Sequence, residues 1–216
     1  DARPALDEIR SLIWQEKWAE AQDLTNASFM ARPLQQMPYQ TLGNLKLESA
    51  AGEKVSNYRR WLDLATAAAI TAWTSDGRSY RRSVVASAAD EVILVRFSSD
   101  KGPVTLELTH DRGDAEFADG TLWLSGRNNE SRGIEGKLRF VAGIEPRGER
   151  LKARFGEGKL VLEARGEITL VIAAATNYRN WQDVSGDPET LVRVRLDAAR
   201  GRTTGDLLAR QQAAHA

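Results

Sequence analysis

The sequence predicts a mainly β protein, an antiparallel sandwich with flanking N- and C-terminal helices. Three observations predict it. From about Leu45 to Ala174, apolar and polar residues alternate with period two. The Asp76-Gly77 turn and linkers such as Asp119-Gly120 and Glu157-Gly158 punctuate that alternation at short intervals. At both ends of the chain the apolar period lengthens to that of a helix.

Residues 1–37 read as a helical segment. Pro4 suits a first helical position. Leu6, Ile9, Leu12 and Ile13 recur at helical spacing, Trp14 and Trp18 form a neighbouring strip, and Ala19, Ala21 and Leu24 extend the pattern into a second short helix. Asn26 and Pro33 oppose its continuation.

Residues 38–186 read as the β-sandwich domain. Leu45 and Leu47 alternate with Asn44, Lys46 and Glu48, and Ala51-Gly52-Glu53-Lys54 reads as a turn. Leu62, Leu64, Thr66, Ala68, Ile70 and Ala72 fall on one face of a single strand. Asp76-Gly77 is a favoured hairpin turn, with Tyr80, Arg82, Val84 and Ala86 alternating behind it. Further strands are expected at 91–98, 104–109, 121–125, 134–142, 151–155, 159–164 and 167–174. Within 134–142, Ile134, Leu138 and Phe140 face one way and Glu135, Lys137 and Arg139 the other, as a sheet with one wet side requires. Asp100-Lys101-Gly102-Pro103 and Arg165-Gly166 read as linkers. Roughly ten short strands at this spacing are the pattern of a sandwich.

Residues 187–216 turn helical again. Asp187-Pro188 is an N-cap followed by proline at the first position. Leu191, Val194, Leu196 and Ala198 continue as helix, although "LVRVRL" alone also fits a strand. Gly201 closes that helix, and Thr203 or Thr204 caps another that carries Leu207, Leu208 and Ala209. An end inside an alanine-rich helix is expected of a piece cut from something larger.

The composition narrows the function. With 216 residues and 42% hydrophobic, the chain can bury a sizeable core as one large domain or two small ones. Thirty basic residues balance thirty acidic ones, so the basic excess of a nucleic-acid binder is missing. The absence of cysteine excludes disulfides, thiol catalysis and cysteine-bound zinc. No apolar run approaches the roughly 20 residues that span a bilayer. The expected partners therefore include neither nucleic acid nor membrane.

Catalytic patterns are hard to find. His110 and His215 are far apart, and neither belongs to a His-Glu-x-x-His pattern; there is no Gly-x-Ser-x-Gly elbow and no phosphate loop. His110 in "LTHDRGD" reads either as an acid, base or metal ligand beside Asp111 or as a solvated turn residue. Glycoside hydrolysis needs two carboxyl groups at a defined distance, which sequence separation does not report. No catalytic residue, metal ligand or cofactor is assigned.

Six tryptophans are more informative. An aromatic face stacks on the apolar face of a sugar, while amides and guanidinium groups bond its hydroxyls. "TNYRNWQDVSGDP" groups Asn177, Tyr178, Asn180 and Trp181 directly after an apolar strand, either as the mouth of a site or as a loop packed on a neighbouring domain. "MPYQTLGNL" sets Tyr39, Gln40 and Asn44 around Gly43. The candidate substrate-binding residues are therefore Tyr39, Gln40, Asn177, Tyr178 and Trp181. Trp61 and Trp73 read as ordinary sandwich residues. Arg59-Arg60 and Arg81-Arg82 each send one arginine to each sheet face, to bridge carboxylates where a second domain docks or to line a solvated face.

In order and content these pieces resemble the N-terminal region of glycoside hydrolase family 95, the α-L-fucosidases and relatives acting on α-L-galactosides. "LDEIRSLIWQEKWAEAQDL" resembles that family's early helical segment. "YQTLGNLKLE" resembles its Tyr-Gln-Pro-Leu-Gly-Asp-Leu strand start, with Thr41 for proline and Asn44 for aspartate. "NYRRWLDLATAAAITAWTSDGRSYRRSVVASAADEVILVRFSSD" resembles its Tyr-Arg-Arg, Leu-Asp-Leu hairpin and the next strand, with Ser83 where glutamate is usual. "AAATNYRNWQDVSGDP" and "GDLLARQQAAHA" resemble its later Ala-Thr-Ser-Tyr loop and the helix leading to its catalytic barrel.

The resemblance implies a β-super-sandwich of the galactose mutarotase-like type, followed by a helical linker (187–216) toward an (α/α)6 barrel of the same polypeptide. It implies inverting hydrolysis of terminal α-L-fucosyl or α-L-galactosyl linkages of an oligosaccharide or polysaccharide, with the catalytic groups in that barrel. It implies an extracytoplasmic location, periplasmic or secreted. Two alternatives stand beside it: a stand-alone carbohydrate-binding sandwich, and a mutarotase-like enzyme with His110 and a carboxylate together in a cleft.

Overall fold

The computed structural model describes residues 2–30, 39–49 and 54–215. Contacts divide the chain into two units: Asp1–Gln40 with Glu130–Glu135, and Thr41–Asn129 with Gly136–Ala216. The expected boundary at 37/38 and most of the expected turn at Ala51-Gly52-Glu53-Lys54 lie outside the described residues.

In the smaller unit a short 3-10 turn, Arg3–Ala5, leads into α1 (Leu6–Trp14), and α2 (Trp18–Ser28) follows. Pro4 sits in the first turn, where its missing N–H is not needed. The chain breaks between the helices at Glu16, whose φ of 60° lies in the left-handed region. Ile9 and Ala21 are buried, whereas Trp14 and Trp18 are exposed. Ser131 and Ile134 bridge to each other in the second segment of this unit. Ile134 therefore does not start a strand; the strand expected at 134–142 begins only at Arg139.

Among the described residues the larger unit contains nine strands: β1 (Leu45–Ser49), β2 (Val55–Asp63), β3 (Ala68–Ser75), β4 (Arg78–Ser87), β5 (Val92–His110), β6 (Asp114–Ala118), β7 (Thr121–Arg127), β8 (Arg139–Gly156) and β9 (Lys159–Thr176). Two helices, α3 (Pro188–Arg200) and α4 (Thr204–His215), follow. The sheet order is β2-β3-β4-β5-β9-β8-β7-β6, with β1 paired to β5, and every pairing is antiparallel.

The expected short strands are thus partly fused. Asp100-Lys101-Gly102-Pro103 and Arg165-Gly166 are bends inside long strands, not linkers. Between the pairs Ser98–Glu167 and Pro103–Arg165, β5 advances from 98 to 103 while β9 moves only from 167 to 165. Such a bulge re-aims the strand and gives proline a place without a ladder N–H. Val95 and Phe97 before the bend and Val104, Leu106 and Leu108 after it consequently face the same core. Leu160, Leu162, Ile168 and Leu170 of β9 join them, as do Leu122, Leu124 and Ile144. The three long strands fold the sheet over its own apolar face, which gives the sandwich-like layering.

The single strand expected through Leu62–Ala72 is two strands. The Asp63 carboxylate accepts the Ala65 and Thr66 N–H groups, and Ala67 has φ 48°, so residues 64–67 turn. The Asp76-Gly77 hairpin forms as expected, with φ 49° and 70° at its two residues. Trp73 stacks on Tyr80 with ring centroids 5.5 Å apart, at the margin of the core. Arg59 and Arg81 flank Ala72 on one face, while Arg60 and Arg82 flank Thr71 on the other.

The opposite face of the sheet is covered by helices. Asp187 caps α3 by accepting the Thr190 N–H at 3.1 Å, and Thr203 forms a reciprocal cap with Asp206 for α4. Val192, Leu196, Ala199 and Leu207 pack on Val92, Leu94, Val171 and Ala173. Gly143 makes this approach possible. A Cβ there would lie 2.7 Å from Leu196 Cδ1 and 3.0 Å from Val192 Cγ1. Arginines fasten the margins: Arg195 to Glu91, Arg200 to Glu145, and Arg210 to Asp90.

Three outcomes test this packing. Gly143→Ala forces α3 outward and should cost about 1–3 kcal/mol, measured by denaturant unfolding. The Asp90 side chain is buried and also accepts from Ser87, so Asp90→Ala should cost about 1.5–3 kcal/mol by the same measurement. The Asp187 carboxyl is held below its ordinary pKa, chiefly by the Thr190 hydroxyl and then the Thr190 N–H. Its contribution is therefore complete above the unfolded pKa of about 3.9 and lost as pH falls through the lower folded pKa. Asp187→Asn keeps the cap but does not titrate, so the fall of Tm between about pH 4 and pH 2 should be shallower in this variant.

Candidate functional site

The candidate site is the loop 177–187 between β9 and α3. Its anchor is Asn177, only 4% exposed. The Asn177 Oδ1 accepts the Arg139 N–H at 2.7 Å, and its Nδ2 donates to the Lys137 and Val184 carbonyls at 3.1 and 2.6 Å. Its backbone adds bonds to Arg139 and Gly186. The side-chain amide of Asn177 is thus occupied in closing the loop onto β8.

The rest of the loop is set by short polar side chains. Asn180 and Asp183 exchange backbone hydrogen bonds, Asn180 Oδ1 accepts from the Gln182 N–H, and Asp183 Oδ1 accepts from the Ser185 N–H. The Asp183 carboxyl is held below its ordinary pKa, mainly by the Ser185 hydroxyl and then its N–H. The two aromatics of the loop point outward, Tyr178 half exposed and Trp181 82% exposed. Exposed rings on a loop fixed at both ends form a stacking surface. The arrangement offers two exposed aromatic faces on a loop closed by hydrogen bonds.

Tyr39 and Gln40 belong to the smaller unit. Tyr39 is fully exposed and Gln40 is half-buried. The structure therefore gathers Asn177, Tyr178 and Trp181 on one loop and leaves Tyr39 and Gln40 as chain neighbours in the other unit. Asn44, beside them in sequence, is a fastener. Its N–H and Nδ2 donate to the two Asp111 carboxylate oxygens at 2.7 and 2.8 Å. These bonds, the backbone one first, hold the Asp111 carboxyl below its ordinary pKa.

His110 lies beside Asp111, but its Nδ1 accepts the Arg112 N–H, and Gly43, with φ 108°, comes so close that a Cβ would meet the ring at 2.7 Å. Arg112 in turn donates to the Thr41 carbonyl at 2.7 Å. This cluster ties the start of β1 to the end of β5. Among the described residues no three His, Asp or Glu side chains are grouped to hold a metal.

Sequence inspection missed a second feature. A cleft of about 280 Å³ opens between the β6–β7 hairpin and α3, lined by Asp119, Thr121, Trp123, Arg193, Asp197 and Arg200. The Arg193 guanidinium lies 4.4 Å from the Trp123 ring centroid, so one face of this indole is already covered. No local pattern joins these residues; they meet only because α3 docks across β8 and β9 and brings Arg193 against Trp123 of β7.

Comparison with known proteins agrees with this architecture. Residues 1–181 match the model of the glycosyl hydrolase family 65 N-terminal domain. α-L-Fucosidase 2 of Arabidopsis thaliana is 30% identical over 114 residues, covering 51% of this chain and 13% of that protein. A solved structure from human microbiome, assigned as a kojibiose phosphorylase, superposes with a TM-score of 0.55 at 14% identity, over 79% of this chain and 27% of that one. The chain thus spans a small part of the length of both. The motifs resemble family 95, and the fucosidase match lies in that direction, but the family model that fits is numbered 65. Matching that model over most of its length, the chain belongs to the glycosyl hydrolase family 65 N-terminal domain family.

Proposed function

We propose that this chain is the non-catalytic N-terminal domain of an α-L-fucosidase-like hydrolase of the family 95 kind. In this reading a helical (α/α)6 barrel of the same polypeptide cleaves terminal α-L-fucosyl or α-L-galactosyl linkages with inversion, outside the cytoplasm. The observation that carries it is the loop 177–187: Tyr178 and Trp181 stand exposed on a frame closed by Asn177. The match to α-L-fucosidase 2 supports the sugar class. Within the domain, Tyr178 and Trp181 supply stacking, Asn177 fixes their loop, and Tyr39 and Gln40 are further candidate contacts. In this reading the two aromatics act in binding, not in bond cleavage.

Trp181→Ala in the longer enzyme should raise KM for a fucosylated oligosaccharide by about ten-fold while kcat changes little, because stacking contributes about 1–1.5 kcal/mol of binding. Steady-state kinetics on α-L-fucosides and α-L-galactosides measure this, and unchanged kinetics would remove the role. The chain alone should hydrolyse neither substrate. Hydrolysis by the isolated chain would favour a self-contained enzyme, and sugar binding retained by it alone would favour an independent binding module.

A further inference from the structure

We infer that the cleft between the β6–β7 hairpin and α3 is a second saccharide site, which takes one neutral pyranose ring. It rests on the reading of this chain as a sugar-binding domain, but it uses none of the residues of the loop 177–187.

Regular backbone carries every wall of the cleft. Arg193, Leu196, Asp197 and Arg200 follow one another at helical spacing and so share one side of α3. Thr121 and Trp123 alternate along β7 with the core residues Leu122 and Leu124, so they face the helix side of the sheet. Asp119 sits in a two-residue turn with Gly120, with φ 52° and 73°, closed by the pairing of Ala118 with Thr121. At about 1.5 Å per residue, Leu196 lies about 12 Å along the helix from Pro188, where the loop 177–187 ends. The cleft and the loop are therefore separate surfaces.

The cleft presents polar groups that the fold leaves unused. Thr121 is only 1% exposed, yet its hydroxyl has no hydrogen-bond partner among the described residues. Polar groups so nearly buried are normally bonded, and the open side here is the cleft. Among the described residues the Asp119 carboxylate accepts no hydrogen bond, and Asp197 commits Oδ1 to Arg200 Nη1 at 2.7 Å while Oδ2 accepts none. Arg193 is fixed from two sides. Its Nη2 donates to Glu189 at 2.9 Å and its guanidinium lies on the Trp123 ring, which leaves Nε and Nη1 as donors. Arg200 is occupied by Glu145 and Asp197, so it positions Asp197.

These groups define the ligand. Asp119 and Asp197 balance Arg193 and Arg200, so the cleft selects neither an anion nor a cation. Among the described residues no three His, Asp or Glu side chains are grouped for a metal. A sugar hydroxyl both donates and accepts. Hydroxyls on one ring can donate to Asp119 and Asp197 and accept from Arg193 and Thr121, while Leu196 and the indole meet its C–H groups. A volume of about 280 Å³ lies at the small end of ligand sites and holds one ring rather than a chain.

Proton–nitrogen correlation spectra of this chain test the site. They follow the Trp123 indole N–H, assigned with Trp123→Phe, and the amides of 119–123 and 193–200. Methyl α-L-fucoside, methyl α-D-galactoside and methyl α-D-glucoside are each added to about 100 mM, well above a millimolar Kd. At least one should shift these signals saturably. Thr121→Val, and Asp119→Gly, which keeps the turn because glycine accepts positive φ, should each weaken that binding about three- to ten-fold. Absence of shifts with all three glycosides would overturn the site. So would binding undiminished in both variants, or shifts produced by sodium sulfate or calcium chloride and by no glycoside, which mark an ion site. Trp181→Ala removes the ring of the loop and should leave the titration of the cleft as it was. Loss of the shifts in that variant would mean that the cleft only senses the loop. The loop reading, tested by the kinetics of Trp181→Ala, can thus fail while the cleft stands, and the reverse.

Discussion

The structure depends on covering both faces of β9. Ile168, Thr169, Leu170, Val171 and Ala173 are all buried, so the strand carries apolar surface on successive, oppositely directed side chains. A run of this kind is stable only with packing on both sides of the sheet. One side is supplied by the sheet itself, folded back through the bends in β5, β8 and β9. The other is supplied by α3 and the start of α4. Without the helices Val92, Leu94, Val171 and Ala173 would face water, and without Gly143 the helix could not approach closely enough to seal them.

Magnitudes separate what stabilises this packing from what aligns it. Each fully buried leucine or valine of α3 and α4 contributes about 1.5–3 kcal/mol through burial. Most of the ion pairs at the margins are partly solvated, and such pairs contribute about 0–1 kcal/mol. Glu145 and Asp90 are buried, but each is held by arginines that keep much of their surface in water. Their attraction is offset by the cost of desolvation. The apolar contacts therefore provide the energy, and the carboxylates fix where along the sheet each helix lies. Removing one partner is nevertheless costly, because a buried carboxylate or its hydrogen-bonding neighbours would be left unmatched.

The same packing shapes the candidate site. The loop 177–187 joins the most buried strand to the helix that covers it, so both of its ends are fixed by the core. Asn177 then closes it against β8, and its exposed aromatics are displayed on a rigid base.

By itself the sequence determined what depends on neighbouring residues: period-two alternation, the Asp76-Gly77, Asp119-Gly120 and Glu157-Gly158 turns, the Asp187-Pro188 cap and the helices at both ends. Backbone preference and side-chain period act over a few residues, so they are legible there. The sequence also set Tyr178 and Trp181 in a polar loop after an apolar strand, and the structure finds them exposed there. Tertiary structure decided the rest. Pro103 and Gly166 look like strand ends locally, yet continued pairing with partners distant in sequence turns them into bends. The full engagement of Asn177, the diversion of Asp111 to Asn44, and the meeting of Trp123 with Arg193 all depend on which strands and helices come to lie side by side. That is settled by burying apolar area over the whole sheet, a quantity that no local window of residues contains.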